Sequence, residues 1–165
     1  MIILPYDRQA AIAYAHQWAF SRNPKYGDFS ELGGDCSNFI SQCLIAGGAV
    51  MNETKDTGWF YRSMNSRAAG WSAVPYLYKF LVNNTGRGPF GHEVDLEEIE
   101  PGDIIQLKFA GMGDFSHSLL VVSTGEPPAP ANILISAHSY DSDDRPLSTY
   151  SYEQARALHI AGVRR

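Results

Sequence analysis

Three observations predict an α+β domain, with helices in the first half of the chain and antiparallel strands in the second. Apolar residues recur at helical spacing within Asp7–Phe20, Cys36–Gly47 and Pro75–Val82. Three short runs rich in Ile, Leu and Val then follow one another at Ile104–Phe109, Phe115–Ser123 and Ile133–Asp141. The segments that join them carry the glycines and prolines of turns, and runs of helices followed by runs of strands are the pattern of this class. With 165 residues, 44% of them hydrophobic, the chain fits one domain over residues 1–165, able to bury about two-thirds of its unfolded surface.

Asp7 is a competent cap for the first helix, whose apolar stripe is Ala11, Tyr14, Ala15 and Trp18, and Asn23-Pro24 stops it. Gly33-Gly34 lets the chain bend sharply, Asp35 caps a second helix, and no breaker follows until Gly47-Gly48. The irregular stretch Asn52–Ser72 carries Trp59, Phe60, Tyr61 and Trp71; loops hold binding sites disproportionately, which makes Trp59 and Trp71 candidates to line a substrate groove. Pro75–Val82 reads as a third helix ended by Asn83-Asn84, and Gly86-Arg87-Gly88-Pro89 opens a flexible excursion that includes His92. The sheet opens at Ile104 after the Pro101-Gly102 turn. Its next two strands, entered at His117 and left at His138, are joined by the proline-rich Glu126–Pro130 and should pair antiparallel, which makes His117 and His138 neighbours. Ser142–Pro146 reads as a turn, Tyr152–Leu158 as a short helix and His159–Val163 as an edge strand.

The chemistry concentrates at Gly33-Gly34-Asp35-Cys36-Ser37-Asn38-Phe39-Ile40-Ser41-Gln42. Cys36 falls in the first turn of its helix, where unpaired N–H groups and the helix dipole favour thiolate over thiol. Cys43 shares the same apolar face about two turns on, about 10 Å away, too far for a disulfide, and reads as core. A cysteine followed along the chain by two histidines and Asp141 supplies what thiol catalysis needs: a nucleophile, a base for its proton, and a polar group to orient the base.

These residues resemble a known family. The Gly-Gly-Asp-Cys-Ser-Asn-Phe-Ile-Ser-Gln segment follows Tyr6-Asp7-Arg8 and Arg22-Asn23-Pro24-Lys25-Tyr26, and precedes Glu100-Pro101-Gly102-Asp103-Ile104-Ile105 and Ser116-His117-Ser118. Together they are similar to the bacterial Putative amidase domain, grouped with NlpC-type cell-wall endopeptidases in the papain-like cysteine peptidase superfamily. The resemblance implies a papain-like fold, N-terminal helices packed on a central antiparallel sheet. It also implies hydrolysis of an amide in a cell-wall peptide, with Cys36 as nucleophile, His117 as general base and His138 as orienting third member. Tyr26 is then the candidate second oxyanion donor beside the Cys36 backbone N–H, and Asp35, Ser37, Trp59 and Trp71 complete the oxyanion- and substrate-binding set. Asp141 and Asn38 are the alternative orienters, since either accepts from an imidazole N–H.

Other classes fit less well. A net charge of −5 without any run of Lys or Arg argues against a nucleic-acid partner. A zinc site built from Cys36, His117 and His138 lacks the locally spaced ligand pair such sites use, so neither metal nor other cofactor is expected. A catalytically inactive module of the same fold, binding peptide or cell wall, is the alternative to an enzyme. No stretch of eighteen apolar residues occurs, so no membrane span is expected, and Met1-Ile2-Ile3-Leu4-Pro5 is too short for a signal peptide core. The chain thus reads as cytosolic or as one domain of a longer exported protein, and its oligomeric state is open.

Overall fold

The computed structural model describes all residues from Met1 to Arg165. Its elements in chain order are β1 (Ile3–Leu4), α1 (Arg8–Trp18), α2 (Cys36–Ala46), β2 (Tyr61–Ser63), β3 (Ser66–Arg67), α3 (Ala69–Ser72) and α4 (Val74–Asn83), then β4 (Gly88–Val94), β5 (Ile104–Lys108), β6 (His117–Ser123), β7 (Leu134–Ala137), β8 (Ser142–Pro146) and β9 (Gln154–Arg164). The class is α+β. A seven-stranded sheet runs β1-β9-β5-β6-β7-β8 with β4 also on β9, and every pairing is antiparallel. β2 and β3 form a separate two-stranded ribbon. No helix is long and apolar enough to cross a membrane.

The strands read as near-continuous apolar runs because both faces of the sheet are covered. Ile104, Leu120, Leu158 and Ile160 face a core shared with α1, α2 and α4, while Ile105, Leu119, Val121, Ile135 and Ala157 face a second core closed by Ile99, Ile133 and Leu147. Successive side chains on a strand point to opposite faces, so adjacent residues feed different cores.

Capping sets where the helices begin. The Asp7 carboxylate accepts the Ala10 N–H at 3.0 Å and starts α1, as its sequence predicts. Arg8, the next residue, reaches across to the sheet. Its guanidinium meets buried Asp103 at 2.8 Å, and Asp103 also accepts the backbone N–H groups of Ile160 and Glu100 and lies 3.1 Å from His159 Nδ1. A buried carboxylate is tolerable only when so satisfied, and this one ties the start of α1 to β5 and β9.

Three expectations fail here. Ser142–Pro146, read as a turn, is strand β8, paired with β7. The predicted helix over Tyr152–Leu158 and the edge strand after it are one long strand, β9, central in the sheet and paired with β5, β4 and β1. Its Ala and Leu content suits a helix, but neighbours on both sides supply the ladder bonds, and tertiary pairing overrides propensity. The flexible excursion at Gly86–His92 is instead β4, paired with β9 across its whole length.

Trp59 and Trp71 are also not where a groove would need them. Both are fully buried with ring centroids 4.9 Å apart. Trp71 Nε1–H donates to Asn38 Oδ1 at 2.8 Å and Trp59 Nε1–H to Ser41 Oγ at 2.9 Å, so each indole is a plug that satisfies a polar group on α2. Trp71→Phe should therefore lower stability by about 1–3 kcal/mol, the cost of leaving a buried acceptor unpaired. Urea unfolding measures this; unchanged stability would mean that the Trp71–Asn38 hydrogen bond contributes nothing to the fold.

Candidate active site

Cys36 opens α2 after a turn that only glycine makes cheaply: Gly33 and Gly34 both lie in the left-handed region, at φ 94° and 110°. Asp35 precedes it as the N-cap residue, yet its side chain makes no cap bond to the helix backbone. The carboxylate turns back instead. Oδ1 accepts the Phe29 N–H at 2.7 Å and the Asn38 side-chain N–H at 2.8 Å, and Oδ2 lies 2.5 Å from His138 Nδ1.

His138 is thus not the group that orients His117. Its Nε2–H donates to the Trp18 carbonyl at 2.7 Å, its Nδ1 meets Asp35, and its ring stacks on Phe39 with centroids 4.0 Å apart. Register explains the error. The β6–β7 ladder pairs Leu120 with Ser136 and Val121 with Ile135, so continuing it sets His138 opposite Ser118, one residue from His117. A one-residue offset sends the two side chains to opposite faces. With both ring nitrogens committed, His138 is also unable to join Cys36 and His117 around a metal.

The remaining candidates divide clearly. Asp141 is clamped by Arg22, with its oxygens 2.9 and 3.1 Å from Nη1 and Nη2. Asn38 donates to Gly27 O and Asp35 and accepts from Trp71, so it is committed to structure. Tyr26 packs against Trp71 and Tyr61 and is not among the residues that line the cavity holding Cys36. Ser37 is buried, with its hydroxyl 3.0 Å from Ser118 Oγ, which pins the first turn of α2 to β6.

Cys36 and His117 do come together, as lining residues of one cavity of about 510 Å³. Its walls come from the Gly33-Gly34 turn, from Phe109 and Ser116 flanking the β5–β6 connection, and from Ser139 and Tyr140 at the β7–β8 turn. Arg145 of β8 and Tyr150 beyond it complete the lining. Sequence reasoning missed Phe109, just past β5, and also Arg145 and Tyr150, whose places depend on how β8 folds back. Ser139 and Tyr140 both have positive φ, 62° and 59°, an uncommon conformation for two non-glycine residues in succession. The turn is held by the Asp35 N–H, which donates to Ser139 Oγ at 3.1 Å, and it leaves Tyr140 almost fully exposed on the rim.

Burial controls the protonation of the pair. It pushes the Cys36 thiol up, although hydrogen bonds from Ser118 and Ser37 act the other way. It also pulls His117 down to about 4, with the Arg145 cation adding to the effect. Burial therefore opposes the thiolate that the helix start is expected to favour. No hydrogen bond joins Sγ to the His117 ring, which packs between Phe109 and Tyr150 with centroids 6.4 and 5.8 Å away. At neutral pH the site rests as thiol and neutral imidazole.

This shift has a consequence for stability. Unfolded His117 titrates near its ordinary 6.5 and the folded one near 4, so between these values the unfolded chain binds the extra proton. The stabilisation is fully present above pH 6.5 and is lost as pH falls towards 4. His117→Asn should remove that dependence, so urea unfolding of wild type and variant should diverge over this window by up to about 3 kcal/mol. Parallel curves would mean that His117 is solvated.

Over residues 5–161 the chain matches the family described as Putative amidase domain. It is 37% identical over 155 residues to the Bacillus subtilis (strain 168) protein described as "Uncharacterized protein YhbB"; the match covers 92% of this chain and 46% of that protein. The chain thus spans about half the length of that relative. No solved structure matches it.

Proposed function

Because the chain belongs to the family described as Putative amidase domain, a name that speaks for amide hydrolysis in general, we propose that it is a cysteine-dependent amide hydrolase acting on peptides of the bacterial cell-wall type. The observation that carries this reading is the shared cavity of Cys36, at the start of α2, and His117, at the start of β6. A helix-borne thiol beside a strand-borne imidazole on an antiparallel sheet also supports a papain-like relationship with the NlpC-type endopeptidases.

In the mechanism, neutral His117 takes the thiol proton as Sγ attacks the amide carbonyl carbon, so charge separates only as the bond forms. A pair looser than a hydrogen bond in the free protein tightens when substrate expels water. The oxyanion of the tetrahedral intermediate sits against backbone N–H groups of the first turn of α2, which lack intrahelical acceptors. Protonated His117 then gives its proton to the leaving amine, and the C–N bond breaks to leave a thioester on Cys36. Water, deprotonated by His117, hydrolyses the thioester and regenerates the thiol. With His138 and Asp141 both committed elsewhere, the imidazole is positioned by packing against Phe109 and Tyr150.

Incubation with muropeptide mixtures, read by mass spectrometry, tests the reading. Wild type should release new amine and carboxyl termini, and Cys36→Ala or His117→Ala should reduce the rate by roughly 10⁴-fold or more while still folding. Binding without turnover by wild type and Cys36→Ala alike would identify an inactive binding module. A second measurement addresses the protonation state. Iodoacetamide should label Cys36 slowly at pH 6 and faster up to pH 9 and beyond, because the thiol is held up by burial, while fully buried Cys43 stays unmodified. A rate already at its plateau at pH 6 would require a preformed thiolate–imidazolium pair.

A further inference from the structure

Arg145 is the only permanently charged side chain lining the Cys36 cavity, and no carboxylate lines the cavity beside it. Arg8, Arg22 and Arg62 each hold an ion pair with a nearby carboxylate, whereas Arg145, like the remaining arginines, holds none. It is nevertheless fixed in place: Nε–H donates to Thr149 Oγ1 at 2.7 Å, an Nη2–H donates to the Thr149 carbonyl at 3.3 Å, and the guanidinium carbon lies 3.7 Å from the Tyr150 ring centroid. These contacts remove the rotamer freedom that a long side chain otherwise loses on binding, and they leave the Nη1 edge of the fork without a partner.

A planar, oriented, uncompensated guanidinium is suited to a carboxylate. Its placement fits the same conclusion, since its charge is felt at the His117 ring across the cavity. We propose that Arg145 binds a free carboxylate of the substrate close to the scissile amide, which makes the substrate class an acidic peptide rather than a neutral amide. The proposal rests on the reading of Cys36 and His117 as the reacting pair, and it adds a specificity residue to that pair.

Two pairs of alkylating probes that differ only in charge test it on the free thiol, independently of turnover. Iodoacetate and N-iodoacetylglycine carry a carboxylate at two distances from the reacting carbon; iodoacetamide and N-iodoacetylglycinamide are their neutral counterparts. At pH 8 and low salt, the acid of at least one pair should modify wild-type Cys36 about tenfold faster than its amide, after normalising to the same ratio for free cysteine. Added sodium chloride should reduce that preference. Arg145→Gln should abolish that preference, read as the acid-over-amide ratio, which cancels any change in intrinsic thiol reactivity, and Arg145→Lys should retain part, since charge survives but the fork does not. Circular dichroism and thermal unfolding establish that each variant is folded, and the lysine variant and the salt series decide the matter if glutamine is not tolerated. Equal normalised rates for both pairs in wild type, or a preference unchanged in Arg145→Gln, would overturn the proposal. His117→Asn serves as the separate control: it should slow acids and amides alike. An anion preference that depends on Arg145 in a protein that cleaves no muropeptide would leave the carboxylate site standing and remove the hydrolase reading.

Discussion

The buried carboxylate of Asp35 is the constraint on which the candidate site depends. It has no solvent exposure, and an uncompensated charge in such a place costs several kcal/mol. Its partners must therefore be present whenever the chain is folded. Phe29 brings the loop before the glycine turn, Asn38 brings the first turn of α2, and His138 brings the end of β7. Arg22 Nε lies 3.6 Å from the same oxygen that meets His138, which adds the segment after α1. Four stretches of sequence converge on one side chain, and Cys36 is the next residue. The thiol is positioned because its neighbour is over-determined.

The same arrangement decides what state the thiol is in. A helix N-terminus favours an anion by about 0.3–1 kcal/mol at exposed sites, less than one unit of pKa, while full burial can shift a titratable group by several units. At Cys36 burial prevails and the thiol stays protonated. His117 is driven the same way, to the neutral form that accepts a proton. In the proposed reaction two neutral partners in a low-dielectric cavity would develop charge only as the bond forms, with the backbone N–H groups at the head of α2 as the proposed donors to the substrate oxygen.

How much of this is legible in the sequence follows from how local each feature is. The start of α1 at Asp7, the glycine turn and the first turn of α2 are written in adjacent residues, so Cys36 is found where the local chemistry puts it. His117 is found because a polar residue at the mouth of an apolar strand stands out. The role of His138 is not legible: pairing direction follows from the connection, but the one-residue register that sets it opposite Ser118 depends on the whole sheet. Trp59 and Trp71 mislead because an irregular segment looks exposed, and only folding shows that α3 carries Trp71 into the core against α2. β9 misleads for the opposite reason, since its helix-favouring alanines and leucines are overruled by strands on both sides. Arg145 and Tyr150 carry no signal at all in one sequence, because β8 must fold back against β7 before either reaches the cavity.

Net charge is a poor guide to what such a site receives. The chain carries −5 overall, which taken alone argues for a basic or neutral substrate. The distribution says otherwise. Asp35, Asp28 and Asp141 all pair with Arg22 or His138, so their field is met at short range by these partners. Asp143 is likewise engaged, by His16 and Ser136. Among the side chains that line the cavity, the one permanent charge is the Arg145 guanidinium. Because interactions beyond about 10 Å are screened at ordinary ionic strength, a ligand in the cavity responds to that local set rather than to the sum over the surface. An acidic protein can in this way present a positive pocket, provided its carboxylates are used up in holding the walls.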